Sequence, residues 1–342
     1  MKWGMNGLGL LMMLTLISAA QSAPSGLLND TGQTQCLNVT GTALEECTPE
    51  NSGDDSPYPG QDGRYGRDAA AKYPAQSGFT KPEGSGGHGG FAFTPLDVNG
   101  NPIPLVGDPP VPAETPRCVW DRVTNLIWEV KTDDGGLQDK DWTYGYGNRN
   151  FGFCNNGQWP DWCGTNNYIS AVNSANLCPV NGSGNWRMPA THELLSIVDY
   201  AYFNPSIDGD YFPNSKIGIY WAYPDRWDSI WRVSFDQGVA NTTQQGNSQY
   251  VRLVRNGPGG NPVQPEFIDN GDGTITDTRT NLNWDKCSWG QTLDITLGCS
   301  GTASTPGQEA MAVAMIANRQ WWRGHSDWRL PNISELYAIL ST

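Results

Sequence analysis

Asn185-Trp-Arg-Met-Pro-Ala-Thr-His-Glu-Leu194 and Asp327-Trp-Arg-Leu-Pro-Asn-Ile-Ser-Glu-Leu336 are one pattern written twice in the same chain. A second pair of stretches precedes them in the same order. Val119-Trp-Asp-Arg-Val-Thr-Asn-Leu-Ile-Trp-Glu129 aligns with Ile275-Thr-Asp-Thr-Arg-Thr-Asn-Leu-Asn-Trp-Asp285, sharing Asp, Thr, Asn, Leu and Trp in register. Matched blocks separated by loops of different length define two copies of one domain.

Each block has a physical reading. Val119 to Asp121 and Leu126 to Trp128 are short strands around a Thr-Asn turn, with Asn125 suited to the left-handed conformation. In the second copy a further hairpin precedes this one, with Phe267 to Asp269 and Thr274 to Thr276 flanking Asn270-Gly-Asp-Gly273. Between the blocks, Ile169, Val172 and Leu177, and then Ala310 to Ile316, carry a helical period. After each Trp-Arg-x-Pro comes a second helix. Asn332 and Glu335 stand in capping-box positions there, whereas Ala190 offers no cap in the first copy unless Thr191 takes over. The first copy continues through Tyr220-Trp-Ala-Tyr223, Ile230-Trp-Arg-Val-Ser-Phe235 and Tyr250-Val-Arg-Leu-Val-Arg255, aromatic and β-branched stretches that alternate as strands do. The second copy reaches Thr342 before any counterpart. Half a domain would expose the apolar side of its second helix, so the chain is a fragment, the preferred reading, or the terminal piece docks on another surface.

These blocks resemble the large bacterial family named for the C-terminal domain of the Legionella collagen-like adhesin, in which they recur in this order. The first copy carries the pattern from Val119 through Trp221, Trp231-Arg-Val-Ser-Phe235 and Val251-Arg-Leu-Val-Arg255, and Thr31-Gly-Gln-Thr-Gln-Cys36 is similar to leaders that precede such domains. The resemblance implies an exported α+β domain, C-type-lectin-like, with two short helices packed on small antiparallel sheets. Its namesake is an adhesin module that binds sulfated glycans and assembles as a trimer. This chain departs from the pattern where Asn125 and Asn281 replace Gly and Ala190 replaces Thr. Its charge argues against sulfated ligands: residues 118–255 hold 10 Lys and Arg against 14 Asp and Glu, a net of −4.

Composition agrees with an exported, loop-rich chain. Lys2, the apolar run Leu8 to Ile17 and the small residues Ser18-Ala-Ala20 read as a cleaved signal over residues 1–20, the apolar run being shorter than the roughly 20 residues that span a bilayer. No transmembrane segment is expected in the mature chain, which is placed in the periplasm, at the cell surface or outside the cell. The eight cysteines are even in number and none forms a C-x-x-C pair, so they read as disulfides. Nearness suggests Cys36 with Cys47, Cys154 with Cys163 and Cys287 with Cys299, which leaves Cys118 for Cys178. Gly 41 and Pro 24 disfavour long helices, while 15 Trp and 13 Tyr bury large areas from few residues. A net charge of −14 removes the usual attraction for nucleic acid. The organisation expected is a Gly/Pro-rich irregular leader over 21–117, mobile at Pro82 to Gly90, then a first domain over 118–256, a linker over 257–265 and a second, incomplete domain over 266–342.

In the repeated motif, Trp186, Arg187, Pro189, Trp328, Arg329 and Pro331 read as scaffold, together with Trp128, Trp231 and Trp284: the tryptophans anchor cores, the arginines pair with carboxylates or carbonyls, and the prolines open helices. Binding is sought in the loops. Tyr223, Asp225, Arg226 and Trp227 lie between strands, and Tyr144, Tyr146 and Trp159 lie in the long excursion before the first helix. Such rings either stack on sugars or anchor a protein interface, or else pack in the core. No cofactor is expected. Calcium is the alternative, with Asp269, Asp272 and Asp277 as oxygen ligands, although their order misses the EF-hand pattern. His88, His192 and His325 belong to no catalytic motif, so no enzyme is expected. The function expected is a binding or adhesion module directed to surface glycans or proteins. The alternatives are an envelope component that assembles with its own kind as a homo-oligomer, and, behind it, an enzyme with an unrecognised site.

Overall fold

The structure, a computed structural model, describes residues 28–340 apart from 54, 150–151, 155–162, 180–184, 224–229, 244–246, 259–266, 295–297 and 304–309. Short helices and small antiparallel sheets make it α+β. In chain order the elements that matter are helix α1 (Gly66–Lys72), strands β1 (Phe93–Leu96), β2 (Cys118–Asp121), β3 (Leu126–Glu129) and β4 (Thr143–Gly145), and helices α2 (Thr165–Ser174) and α3 (Thr191–Leu195). Strands β5 (Ile219–Trp221), β6 (Ile230–Ser234), β7 (Val239–Thr243) and β8 (Val254–Asn256) complete the first copy. The second supplies β9 (Phe267–Asp269), β10 (Thr274–Asp277), β11 (Leu282–Asp285), α4 (Ala310–Arg319) and α5 (Ile333–Leu340).

The hairpin of the first block forms as its residues dictate. The Asp121 carboxylate accepts the Val123 N–H at 2.9 Å and closes the turn, and Asn125 takes φ 57°. Its counterpart repeats the device, with Asp277 accepting from Arg279 N–H at 2.9 Å and Asn281 at φ 58°. The central sheet runs β8-β3-β2-β1, with Val119 and Val254 both opposite Trp128. Alternation along β3 then serves two cores: Leu126 and Trp128 face one with Phe93, Leu194 and Phe212, while Ile127 faces the other with Val172, Trp186 and Trp221. A second sheet, β5-β6-β7, places Val233 and Phe235 in the first core, against which Trp231 packs partly buried.

All four disulfides form as nearness suggested, with Cα separations of 4.9 Å for Cys36–Cys47, 6.5 Å for Cys118–Cys178, 5.7 Å for Cys154–Cys163 and 5.5 Å for Cys287–Cys299. Cys118–Cys178 ties β2 to the chain that leaves α2, and both residues are fully buried. The expected signal lies outside the described residues. Among those described, no helix is long and apolar enough to cross a membrane.

The leader departs from expectation. The described residues between 28 and 117 include short helices and strands, and β1 from this stretch pairs with β2 in the central sheet. It thereby occupies the place that β9 takes beside β10, so the hairpin that seemed peculiar to the second copy has its equivalent here. The glycine-rich stretch Pro82 to Gly90 is also fixed. Gly86 and Phe93 exchange backbone bonds at 2.9 and 2.8 Å, and a Cβ on Gly89, held at φ 49°, would run into the Asp68 carboxylate. Glycine here grants close approach of backbone to buried carboxylates. Composition misleads because polar bonds, rather than apolar area, hold this part of the chain.

The second copy's α5 packs on α3, its equivalent in the first copy, and Tyr337 lies against the first core. Asn332 adds a polar tie, its Nδ2 donating to Asp30 at 2.7 Å and to Asp62 at 3.1 Å. Tyr337 is thus held against the first copy and Ala338 is buried, whereas Ile333 and Leu336 of the same helix remain exposed.

Candidate functional site

The repeated motif is a clamp. Arg187 donates through Nη1 and Nη2 to the two Glu193 oxygens, both at 2.6 Å, and Glu193 Oε2 also accepts the Ala190 N–H at 2.8 Å. Burial alone would raise the Glu193 carboxyl, but the hydrogen bond and charge of Arg187 hold it below the usual range. The second copy repeats the geometry with Arg329, Glu335 and Asn332 N–H. Pro189 and Pro331 stand just ahead of the caps rather than inside the helices, and Thr191 Oγ1 has no hydrogen-bond partner, so it does not replace the missing cap. Asn332 does cap, accepting the Glu335 N–H at 2.9 Å. Glu193→Ala is expected to cost about 2 kcal/mol, less than a fully buried pair because the Arg187 side chain is 39% exposed, and urea unfolding measures it.

Tyr146 and Tyr223 are the two loop tyrosines that the fold brings together. Tyr223 is 56% exposed, and its N–H is held by the Pro189 carbonyl at 2.6 Å, which sets the ring beside the end of the motif. Tyr146 is half-buried, edge-on to Trp221 at 5.7 Å, and burial followed by the neighbouring Tyr223 pushes its phenol up to about 12. Trp221 is fully buried beneath and donates its indole N–H to the Tyr144 carbonyl at 2.6 Å. Tyr144 itself is core, only 3% exposed and stacked on Tyr168 at 4.5 Å, so its ring is not presented to a ligand. Trp159, Asp225, Arg226 and Trp227 lie outside the described residues, although Asp225 to Trp227 follow within four positions of Tyr223 in the chain.

A third cluster was not legible in the sequence. Asp30, Asp62, Asp68, Asp199 and Asp208 gather around the leader, all buried or nearly so, with His88 among them. Asp68 accepts the N–H groups of Gly32 and Gly90 at 2.7 and 2.6 Å, and burial, aided by the charges of Asp62 and Asp199, pushes its carboxyl up to about 7. Burial raises Asp30 and Asp62 as well. His88 Nδ1 lies 3.1 Å from Asp199, a hydrogen bond that raises the imidazole above its ordinary value. A cavity of about 450 Å³ opens beside Asp68, walled by Lys72, Phe79 and Lys81. Burial lowers the Lys81 ammonium to about 8.

The model of the Lcl C-terminal domain matches residues 117–255 and again 273–342. The chain belongs to the Lcl C-terminal domain family. No curated protein and no solved structure matches it. The two Lcl C-terminal segments contain both clamps and the Tyr146–Tyr223 pair, whereas Asp30, Asp62, Asp68 and His88 precede the first segment. The carboxylate cluster therefore joins a stretch outside the Lcl C-terminal match to both copies: Asp199 and Asp208 come from the first and Asn332 from the second.

In the second Lcl C-terminal copy and the turn just before it, the three carboxylates considered for calcium serve the hairpins. Asp269 accepts from Gly271 N–H at 2.9 Å and from Lys286, Asp272 accepts from Thr274 N–H at 2.8 Å, and Asp277 is buried against Thr280. A different trio in the first copy, Asp133, Asp139 and Asp141, places carboxylate oxygens within 4.8 Å of one another. Lys140 and Lys216 neutralise Asp133 and Asp141, while Asp139 accepts three backbone N–H groups.

Proposed function

We propose that this protein is an exported binding module of C-type-lectin-like build, recognising a surface glycan or protein through the face that carries Tyr146 and Tyr223. The observation that carries the reading is an exposed phenol ring set by the scaffold beside a second, half-buried ring over Trp221. A ring held by its own backbone loses little freedom when a sugar or an apolar side chain stacks on it. Four disulfides fit an oxidising compartment, and residues 1–20 would direct export there. Nothing in this reading requires catalysis or a cofactor.

The test is binding of the full mature chain to a glycan array and to bacterial and host cell surfaces. Tyr223→Ala is expected to weaken a bound ligand by roughly fivefold to tenfold, the loss of about 1 kcal/mol of stacking, with the fold intact by circular dichroism. Undiminished binding by the Tyr146→Ala/Tyr223→Ala double variant would remove this face from the proposal.

The packing of α5 on its equivalent α3 supports a second reading, an envelope component whose domains associate with their own kind. That reading expects oligomers by light scattering and no glycan ligand.

A further inference from the structure

The cavity of about 450 Å³ beside Asp68 lies outside both Lcl C-terminal segments, and neither Tyr146 nor Tyr223 lines it. Helix α1 contributes Asp68, Ala71 and Lys72 to its wall, and the chain that follows contributes Pro74, Phe79 and Lys81. It therefore sets two cations beside an apolar surface, in a chain whose net charge is −14.

The two ammonium groups are satisfied unequally. Lys72 Nζ donates to the Thr34 carbonyl at 3.2 Å and lies 3.9 Å from the exposed Glu46 carboxylate. Lys81 Nζ donates to the Gly87 carbonyl, and among the described residues no carboxylate oxygen lies within ion-pair distance of it. Desolvation accordingly outweighs the pull of Asp208, Asp68 and Asp199, and Arg67 opposes that pull, so the ammonium falls to about 8. A cation drawn partly out of water with no acid beside it carries a cost that an incoming anion removes.

The remaining wall selects what carries the anion. Ala71, Pro74 and Phe79 are apolar, and the Phe79 ring is held by the Arg67 guanidinium, 5.2 Å from its centre. Arg67 itself is engaged by the Gly90 carbonyl at 3.2 and 3.1 Å. Asp68 in the wall, with Asp199 and Asp208 near enough to act on Lys81, makes a doubly charged anion costly. A single carboxylate on an apolar body avoids that repulsion.

We propose that this cavity binds a small organic acid, one carboxylate on a flat ring, with Lys81 and Lys72 receiving the carboxylate and Phe79 the ring. Its volume is in the range of small-molecule sites. The cavity and the Tyr146–Tyr223 face share no residue, so each reading stands or falls alone.

The probes are benzoate and glucuronate, added to the full mature chain and followed by calorimetry and by the melting temperature. Saturable one-to-one binding with a dissociation constant on the order of 1 mM or below is expected for at least one of them, and the tighter of the two tells an aromatic acid from a sugar acid. Benzamide keeps the ring without the charge, and inorganic phosphate keeps charge without the ring. Both should bind about tenfold more weakly or worse. Lys81→Met should weaken the acid about tenfold without lowering the melting temperature of the free protein, because it removes a desolvated cation rather than a paired one. Ala71→Phe fills the cavity from α1, leaves both lysines in place and should weaken binding by a similar factor, which keeps the test decisive if Lys81→Met fails to fold. The Tyr146→Ala/Tyr223→Ala variant should bind the acid as the wild type does. Absence of saturable binding by either acid up to about 10 mM, equal binding of benzamide, or unaltered affinity in either folded cavity variant would overturn the proposal.

Discussion

Glu129→Ala is expected to lower the unfolding free energy by about 4 kcal/mol, the cost of leaving a buried charge without its partner. The Glu129 side chain is fully buried, and its carboxylate holds Lys131 at 3.0 Å, the Tyr168 hydroxyl, and the Leu253 N–H at 2.9 Å. Burial pulls the Lys131 ammonium below its ordinary range, and Glu129 is the charge that opposes the shift. Removing the carboxylate therefore unseats the lysine, the tyrosine and the strand leading into β8 together. Guanidinium unfolding measures the loss. Adding Lys131→Met to Glu129→Leu should recover part of it, since a well-packed apolar pair avoids the desolvation that the ion pair must offset, while the Tyr168 hydroxyl and the Leu253 N–H stay without that acceptor. A single-variant loss under about 1 kcal/mol would show that the pair is peripheral to stability.

The second large effect is on pH. Asp68 titrates at about 7 in the folded chain, against about 4 for an unfolded aspartate. A carboxyl raised on folding favours the proton-bound folded state, so its contribution is complete below about pH 4. That contribution is lost as pH rises from about 4 to about 7, and because Asp68 shares its surroundings with Asp30 and Asp62 the loss belongs to the group. Asp30 and Asp62 shift in the same direction, and His88, raised by Asp199, also loses its contribution as pH rises through its folded value. Glu193 is lowered and works the other way, losing its contribution only on acidification below the usual carboxylate range. Hydrogen exchange and limited proteolysis should accordingly find the leader, together with the Asn332 contact to Asp30 and Asp62, looser at pH 8 than at pH 5. Asp68→Asn keeps an acceptor for one of the two glycine N–H groups and cannot ionise, so it should flatten the profile. A wild-type melting temperature equal at both pH values, or an unchanged slope in the variant, would refute the assignment.

How far each feature was readable follows from the range of the interactions behind it. The hairpin around Asn125 is local: Asp121 and Asn125 lie four residues apart and close their own turn. The helix of the second copy is equally local, since Asn332 and Glu335 bond across a single turn. The Arg187–Glu193 pair spans six residues, and the motif left the arginine's partner open between a carboxylate and carbonyls. Tyr144 and Tyr146 are neighbours on an irregular stretch, yet one is buried on Tyr168 and the other meets Trp221 and Tyr223, which come from distant strands. Their difference depends on contacts across the sheets.

By itself the sequence determined two copies of one α+β domain, their hairpins and helices, and the four disulfides, because repetition, turn chemistry and cysteine spacing act over short stretches. Only the tertiary structure decided that the described Gly- and Pro-rich residues ahead of the first copy carry helices and strands, with β1 joining the central sheet, and that α5 packs on α3. Each of those rests on partners far apart in the chain, such as Asp30 with Asn332, and burial strengthens such polar bonds only once the whole fold has closed around them.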